Sequence, residues 1–299
     1  MKIGYPCINR TIHCKGNRTF RLKSYSEERF VRTVRDNLDC LRSILQFNVE
    51  HDILFFRITS DLIPFASHPV CNFDWLSYFD PDFKAIGNFI IDHNIRISMH
   101  PGQFTVLNSP HERVLASSIK ELEYHTQVLD ALRLDRSAKI QLHIGGVYGN
   151  KETGISRFVE RYHALNSSIK QRLVIENDER NYNFADCLHI YDQTGIPILF
   201  DSLHHELNNA GETVEDVFKL LIKTWNQEDG PPMIDYSSSR TSSQRRRHIQ
   251  SIDLHHFTQF LCRTRPHNFD IMLEIKDKEG SALKAMDILI SDERFYKPP

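Results

Sequence analysis

Short, nearly continuous apolar runs alternate along this chain with longer stretches in which apolar residues recur every three or four positions. The first pattern predicts buried strands, and the second predicts amphipathic helices. Strands are predicted at residues 3–5, 53–58, 96–100, 139–144, 172–176, 197–201, 233–236 and 270–276. The helices that follow them in turn are predicted at 26–47, 81–93, 111–132, 155–165, 184–193, 213–225, 253–262 and 281–290.

This regular alternation determines the predicted fold. Strands that are apolar on both faces are typical of a parallel sheet covered by helices. Eight strand–helix units predict one (β/α)₈ TIM barrel domain over residues 1–299, with its active site at the carboxyl ends of the strands. An open, doubly wound sheet is the alternative, but it would spread the strand ends along an edge instead of around a ring.

Side chains that can bind metal stand at the ends of the predicted strands. The ends carry His100, His143, Glu176, Asp201, Asp235 and Glu274, and His204 follows Asp201 by three positions. Nitrogen and oxygen donors together suit manganese, iron or zinc. So many ligands exceed the needs of one ion, which predicts a site for two or three. Such a site suits phosphodiester hydrolysis, although the ligands alone leave a metal-dependent sugar isomerase open.

The charged residues are nearly balanced, with 37 Lys and Arg against 39 Asp and Glu. Bound cations would add positive charge, so this balance does not exclude nucleic acid as a partner. Two loops are basic. The first follows the first strand and contains Asn9, Arg10 and Lys15, and the second contains Arg245, Arg246 and Arg247. We interpret both as phosphate contacts, with a solvated charged loop as the alternative for the second.

The six cysteines are scattered without a Cys-x-x-Cys pair, which predicts free thiols. No apolar run reaches a membrane-spanning length, and the first residues lack the apolar region of a signal peptide. We therefore expect a cytoplasmic monomer, nucleoid-associated if bacterial, that has no membrane partner. The glycines lack the spacing of a dinucleotide fingerprint, so no nucleotide cofactor is expected.

Five ordered motifs carry a resemblance to a known family. They are Phe65-Ala66-Ser67-His68-Pro69, His100-Pro101-Gly102-Gln103-Phe104, Leu142-His143-Ile144-Gly145-Gly146, Ile175-Glu176-Asn177-Asp178-Glu179-Arg180 and Asp201-Ser202-Leu203-His204-His205. With them the chain resembles the UV damage endonucleases, which are similar in fold to endonuclease IV. The resemblance implies incision of duplex DNA immediately 5′ to cyclobutane pyrimidine dimers or 6-4 photoproducts, with two or three Mn²⁺ ions. An abasic-site endonuclease of the endonuclease IV type is the alternative.

The resemblance also implies roles for individual residues. The residues that match metal ligands are His100, His143, Glu176, Asp201, His204, His248 and Glu274, of which Glu176, His204 and Glu274 are taken as catalytic. Gln103 and Phe104 match the pair that probes the duplex at the lesion, and Tyr5, Asn9 and His68 match residues near the flipped-out damage. The chain departs from the family at Met233 and Asp235, where relatives carry Lys and His. We expect the Asp235 carboxylate to bind metal in place of that imidazole.

Overall fold

Eight parallel strands close into a barrel in the computed structural model, which describes residues 1–238 and 248–297. The strands are β1 (Ile3–Pro6), β2 (Phe55–Ile58), β3 (Arg96–Met99), β4 (Lys139–His143), β5 (Leu173–Glu176), β6 (Ile198–Asp201), β7 (Met233–Tyr236) and β8 (Asp270–Leu273). They pair in chain order, and β8 pairs with β1. The predicted TIM barrel is confirmed, and its extension over residues 1–299 as one domain stays a prediction.

Helices cover the outside of the barrel. They are α1 (Glu27–Glu50), α2 (Trp75–Tyr78), α3 (Asp80–Asp92), α4 (Glu112–Ala131), α5 (Lys151–Ala164), α6 (Ser167–Lys170), α7 (Phe184–Thr194), α8 (Ser202–Leu207), α9 (Val214–Leu221), α10 (Leu254–Arg263) and α11 (Glu279–Leu289). Helix α1 begins after Ser26, whose side chain accepts a hydrogen bond from the Arg29 amide. No helix in the described ranges is long and apolar enough to cross a membrane.

The barrel interior is arranged in layers, because alternate residues of each strand point inward. A middle layer of apolar side chains forms a cluster separate from the core between barrel and helices; it includes Phe55, Val174, Leu199, Met233 and Met272. Two positions further along the strands lie Arg57, Glu176, Asp201, Asp235 and Glu274. Met233 therefore packs in the barrel core, one inward position below Asp235. The apolar layer separates a polar upper end, at the carboxyl ends of the strands, from a charged lower end.

The prediction of free thiols is wrong for two of the six cysteines. Cys14, in the loop after β1, forms a disulfide with Cys40 on α1, 26 positions away. The other four cysteines are free. A spacing of this length has no local signature, because the two residues meet only when the loop folds back onto α1.

Candidate active site

Three overlapping groups of potential metal ligands lie at the carboxyl ends of the strands. The first group is His100, His143 and Glu176; the second is Glu176, Asp201 and His204; the third is Asp201, Asp235 and Glu274. Within each group, one donor atom of every residue lies within 4.8 Å of the others. Glu176 belongs to the first two groups and Asp201 to the last two. Shared carboxylates of this kind are suited to bridging neighbouring cations.

Glu176 stands at the centre of the first two groups. Its Oε2 atom lies 3.5 Å from His100 Nε2 and 3.7 Å from His143 Nε2, and its Oε1 atom lies 3.2 Å from His204 Nδ1. Burial opposes ionisation of Glu176, but the charge of His143 and hydrogen bonds from His100 and His204 hold its pKa well below the usual value. Three imidazoles thus surround a carboxylate that stays ionised.

Asp201 and His204 are brought together by the N-terminus of helix α8. Asp201 is the N-cap of α8, and its Oδ1 atom accepts a hydrogen bond of 2.7 Å from the His204 backbone amide. Burial raises the pKa of Asp201 to about 7. His204 is also buried, but the nearby carboxylates of Asp201 and Glu176 outweigh that effect and raise its pKa to about 11. The Asp-x-x-His pattern that stood out in the sequence is therefore a capped turn that points both side chains into the mouth.

Sequence analysis missed Arg57, which lies among the carboxylates of the third group. Its guanidinium donates hydrogen bonds of 2.6 Å to Asp235 Oδ1 and to Gln141 Oε1, and a further one to Glu274. The Gln141 amide donates in turn to Asp235 Oδ2 and to Glu176. The available signal was a single charge inside the apolar strand β2, because a buried charge requires a partner.

His248 pairs with Glu274 at the edge of the site. Its Nε2 atom lies 3.2 Å from Glu274 Oε2, but His248 belongs to none of the three groups that the described residues form. Burial lowers the pKa of His248. Burial opposes ionisation of Glu274, yet Arg57 and then His248 lower the pKa of that carboxyl to about 2.

The donor set is suited to divalent cations. In the described ranges, four buried or half-buried carboxylates share the site with one guanidinium, which contacts two of them, so acids outnumber side chains of fixed positive charge. The Asp201 Oδ2 atom is buried without a hydrogen-bond partner among the residues that the structure describes. An unsatisfied buried oxygen costs free energy, and a bound cation would remove that cost. The mixture of imidazole and carboxylate donors suits manganese, iron or zinc.

The predicted probe residues, Gln103 and Phe104, stand on the loop between β3 and α4. The Phe104 side chain is 83% exposed, and nothing lies within 4 Å of the Cβ position of neighbouring Gly102. Cavities open on both sides of this loop. One of about 730 Å³ is lined by Phe104, His143, Arg113 and Arg180 among others, and one of about 340 Å³ is lined by His100, Arg57, His248 and Glu274 among others. Gln103 borders both cavities, next to the ligand groups.

Tyr5 and Asn9 are placed differently from the prediction that they contact damaged DNA. The Tyr5 hydroxyl is buried, donates a hydrogen bond of 2.6 Å to Asn48 and accepts one of 2.9 Å from Asn9. Asn9 is buried as well, and its Oδ1 atom accepts from the amides of Thr11 and Ile12. Burial leaves neither side chain a surface for DNA in this structure, so both shape the loop after β1.

His68, by contrast, is exposed on the loop between β2 and α2, and its Nδ1 atom accepts a hydrogen bond from the Val70 amide. Its predicted contact with DNA stays a prediction.

The loop that Asn9 shapes is basic. Arg10, His13, Lys15 and Arg18 are exposed and border a cavity of about 670 Å³ within residues 8–18, which we call the basic loop. No aspartate or glutamate precedes Glu27 in the chain. The basic loop continues from Pro6 and Cys7, which line the cavity above the ligand groups. The other predicted basic segment, with Arg245, Arg246 and Arg247, lies outside the described residues.

The fold and the polar upper end define a TIM-barrel protein whose strand ends hold histidines and carboxylates. Among solved structures, endonuclease IV from Thermus thermophilus matches with a TM-score of 0.58 and 14% identity, covering 83% of this chain and 92% of that one. The 3-keto-D-glucoside 4-epimerase YcjR from E. coli matches with a TM-score of 0.56 and 11% identity, covering 97% and 99%. Likeness at this level of identity shows the fold alone.

The chain belongs to the UV-endonuclease UvdE family, whose model matches residues 1–297. The crystal structure of SacUVDE matches with a TM-score of 0.94 and 43% identity over 99% of this chain and all of that one. The UV DNA damage endonuclease of Clostridium perfringens strain 13 is 42% identical over 291 residues, covering 97% of this chain and 71% of the relative. That of Bacillus cereus strain B4264 is 36% identical over 269 residues, covering 89% and 85%. The resemblance found in the sequence is confirmed.

Proposed function

We propose that this protein is a metal-dependent endonuclease that nicks UV-damaged duplex DNA immediately 5′ to cyclobutane pyrimidine dimers and 6-4 photoproducts. The observation that carries the proposal is the juxtaposition of three overlapping ligand groups with the exposed Phe104 loop, in a chain of the UvdE family. The names of its relatives support UV-damaged DNA as the substrate. We propose Mn²⁺ as the metal, and a cytoplasmic monomer without a nucleotide cofactor as the working form.

Divalent cations would be held by the imidazoles and carboxylates of the ligand groups. When bound, they supply Lewis acidity at the attacking water and neutralise charge on the scissile phosphate. Glu176 would contribute to both of the first two groups, because each of its oxygens faces imidazole nitrogens. Gln141 holds the Glu176 carboxylate in place through its amide. The His248–Glu274 pair borders the cavity, and the histidine Nε2 atom can hold a proton between the two side chains.

Recognition of the lesion would depend on the Phe104 loop. Chemistry next to a damaged base requires that base outside the stack, and unstacking costs least where the duplex is already distorted. An apolar wedge such as the exposed Phe104 ring can fill the gap that the flipped bases leave. Gln103, which stands between the two cavities, can occupy the adjacent position with hydrogen-bonding groups.

The backbone of the duplex would cross the basic loop. Arg10 and Lys15 are exposed, and the loop continues the mouth that the ligand groups form. Contacts of this kind contribute affinity without sequence or lesion preference. Their arrangement depends on Asn9, which orders the first turn of the loop, and on the Cys14–Cys40 disulfide, which fastens its middle to α1.

Mapped cleavage of defined duplexes tests the proposal. Metal-loaded protein is incubated with end-labelled duplexes that carry a cyclobutane dimer, a 6-4 photoproduct, an abasic site or no lesion. We expect a cut immediately 5′ to both photoproducts that is lost with a chelator and restored by Mn²⁺. Cutting confined to the abasic duplex would favour the endonuclease IV type of activity, and chelator-resistant cutting would contradict metal dependence. Glu176→Gln is the control for a contaminating nuclease.

A further inference from the structure

The third ligand group differs from the other two because a fixed positive charge already lies within it. The Arg57 guanidinium contacts Asp235 Oδ1 at 2.6 Å and also contacts Glu274. The Arg57 side chain is 3% exposed and that of Asp235 is fully buried, so neither can swing out into solvent. Two of the three carboxylates in the group thus have a cationic partner supplied by the protein.

Hydrogen-bond donors also occupy both oxygens of Asp235. Its Oδ1 atom accepts from Arg57, and its Oδ2 atom accepts from the Gln141 amide at 2.6 Å. Each carboxylate oxygen has two lone pairs, so a cation at Asp235 would have to share an oxygen with one of these buried donors and weaken that hydrogen bond, which is costly. It would also lie beside a guanidinium that cannot lose its proton. Asp235 is therefore a poor ligand, although its oxygens are close to those of Asp201 and Glu274.

The first two ligand groups contain histidines and, in the part of the chain that the structure describes, have no arginine in contact with Glu176, unlike the third group, which Arg57 contacts. Around Glu176 lie the imidazoles of His100, His143 and His204. Imidazole nitrogens are themselves metal ligands, so every side chain of the first two groups can contact a cation directly. In the second group, the Asp201 Oδ2 atom has no donor among the described residues. These two groups can accept a cation where the third one cannot.

We infer that this centre takes two divalent cations and not three. One would be held by His100, His143 and Glu176, and the other by Glu176, Asp201 and His204. Arg57 supplies the positive charge of the third group, and Asp235 is a positioning residue for Arg57 and not a metal ligand. This inference rests on the proposed metal-dependent function and reduces the expected number of ions to two. It revises the expectation that Asp235, Glu274 and His248 bind metal.

Metal content tests the inference without reference to activity. Wild-type protein, Asp235→Asn and the matched variant Asp201→Asn are stripped with a chelator, dialysed against Mn²⁺ and analysed by plasma mass spectrometry. We expect two Mn²⁺ ions per chain in the wild type and two in Asp235→Asn, and fewer than two in Asp201→Asn. Three ions in the wild type, or the loss of one ion in Asp235→Asn, would overturn the inference.

A crystallographic measurement keeps the inference testable if Asp235→Asn does not fold. Anomalous difference maps at the manganese edge, from crystals of wild-type protein soaked in Mn²⁺, should show two peaks, both at Glu176. A peak within ligand distance of an Asp235 oxygen would overturn the two-ion assignment and leave the proposed endonuclease standing. A wild type that binds no Mn²⁺ at all would overturn both.

Discussion

The two ends of the barrel interior both bury charged side chains, but the lower end pairs its acids with Lys and Arg one to one, whereas the upper end, within the described residues, holds four acids and one arginine. At the lower end Arg96 contacts Asp270 at 2.9 Å, and Lys139 contacts Asp229. The two terminal nitrogens of Arg96 also reach the carbonyls of Asp229 and Pro231, and Lys139 donates to the Gln171 carbonyl. The lower end thus satisfies its charges from within the chain.

The upper end concentrates carboxylates instead. Glu176, Asp201, Asp235 and Glu274 lie together there, Arg57 contacts only the last two, and three imidazoles contact Glu176. Like charges held together in a protein interior raise its free energy unless a ligand of opposite charge compensates them. The comparison teaches that burial of charge alone does not reveal a site. An excess of acids over side chains of fixed positive charge is more informative, and it distinguishes the upper end, whose donor groups could hold a cation, from the lower end.

The strongest contrast between the ends should come from Glu176→Gln. This change removes the carboxylate shared by the first two ligand groups, so incision should fall by at least about 10³-fold. The shape of the side chain is kept and the lower end is untouched, so cooperative unfolding should persist. Single-turnover cleavage of a dimer-containing duplex and a thermal melt measure the two effects. A near-normal rate would show that Glu176 is not the shared ligand.

Asp270→Ala makes the opposite test at the lower end. It leaves Arg96 buried without its acid, which should lower the free energy of unfolding by about 3 kcal/mol. The upper end lies beyond the apolar layer, so incision at 25 °C should stay within about twofold of the wild type. Urea unfolding and cleavage assays of the same preparation check both. Asp39→Ala, at an exposed acid on α1, is the control and should unfold like the wild type.

A smaller effect is expected at the rim of the upper end. Gln103→Ala combined with Phe104→Ala removes the wedge and leaves the ligand groups intact. Preference for dimer-containing over undamaged duplex should fall about tenfold, since loss of one stacked ring costs roughly 1–3 kcal/mol. Competition binding measures the preference. Phe104→Tyr keeps the ring and should keep the preference for dimer-containing duplex. If the double variant also kept that preference, Phe104 would have no role in recognising the lesion.

The smallest effect concerns surface charge at the two ends. Arg10→Gln with Lys15→Gln should weaken binding to all duplexes equally and flatten the slope of log K against log salt by about 1.8, because each phosphate contact contributes about 0.9. The matched variant is Arg133→Gln with Arg136→Gln, in the loop before β4 at the lower end. It should leave the slope unchanged. If both variants had the same slope of log K against log salt, the charges of the basic loop would be solvated and would not contact DNA phosphates.

The barrel and the position of the polar site were predictable because both follow from short-range patterns. Each apolar run that ends in His143, Glu176 or Asp201 marks a strand and its carboxyl end, and parallel strands bring those ends together. The partners inside the ring were not predictable in the same way. Arg57 meets Asp235 across 178 positions of the chain, and nothing local to β2 or β7 specifies that pair.

Residue type was also a weak guide to exposure. Tyr5 and Phe104 were both expected at the DNA, yet the first is buried and the second is 83% exposed. Tyr5 lies in β1, where its ring packs edge-on against Phe56 and its hydroxyl finds Asn48. Phe104 lies two positions after Gly102 on an open loop, where nothing lies within 4 Å of the Gly102 Cβ position. The difference arises from tertiary packing around each ring, which the resemblance between motifs does not contain.

The Cys14–Cys40 bond gives the chain two covalent forms with different topologies. In the chain-entropy model, closing a loop of 26 positions lowers the entropy of the unfolded chain and thereby raises the free energy of unfolding by about 3.5 kcal/mol. In the thiol form, the segment from Asn9 to Arg18 keeps the hydrogen bonds at its two ends, from Thr11 to Asn9 and from Arg18 to Asn37. It loses the covalent bond from Cys14, in its middle, to α1. Reductant in a buffer therefore decides whether the Cys14–Cys40 bond is present, and the oxidised and reduced proteins should be prepared and measured separately.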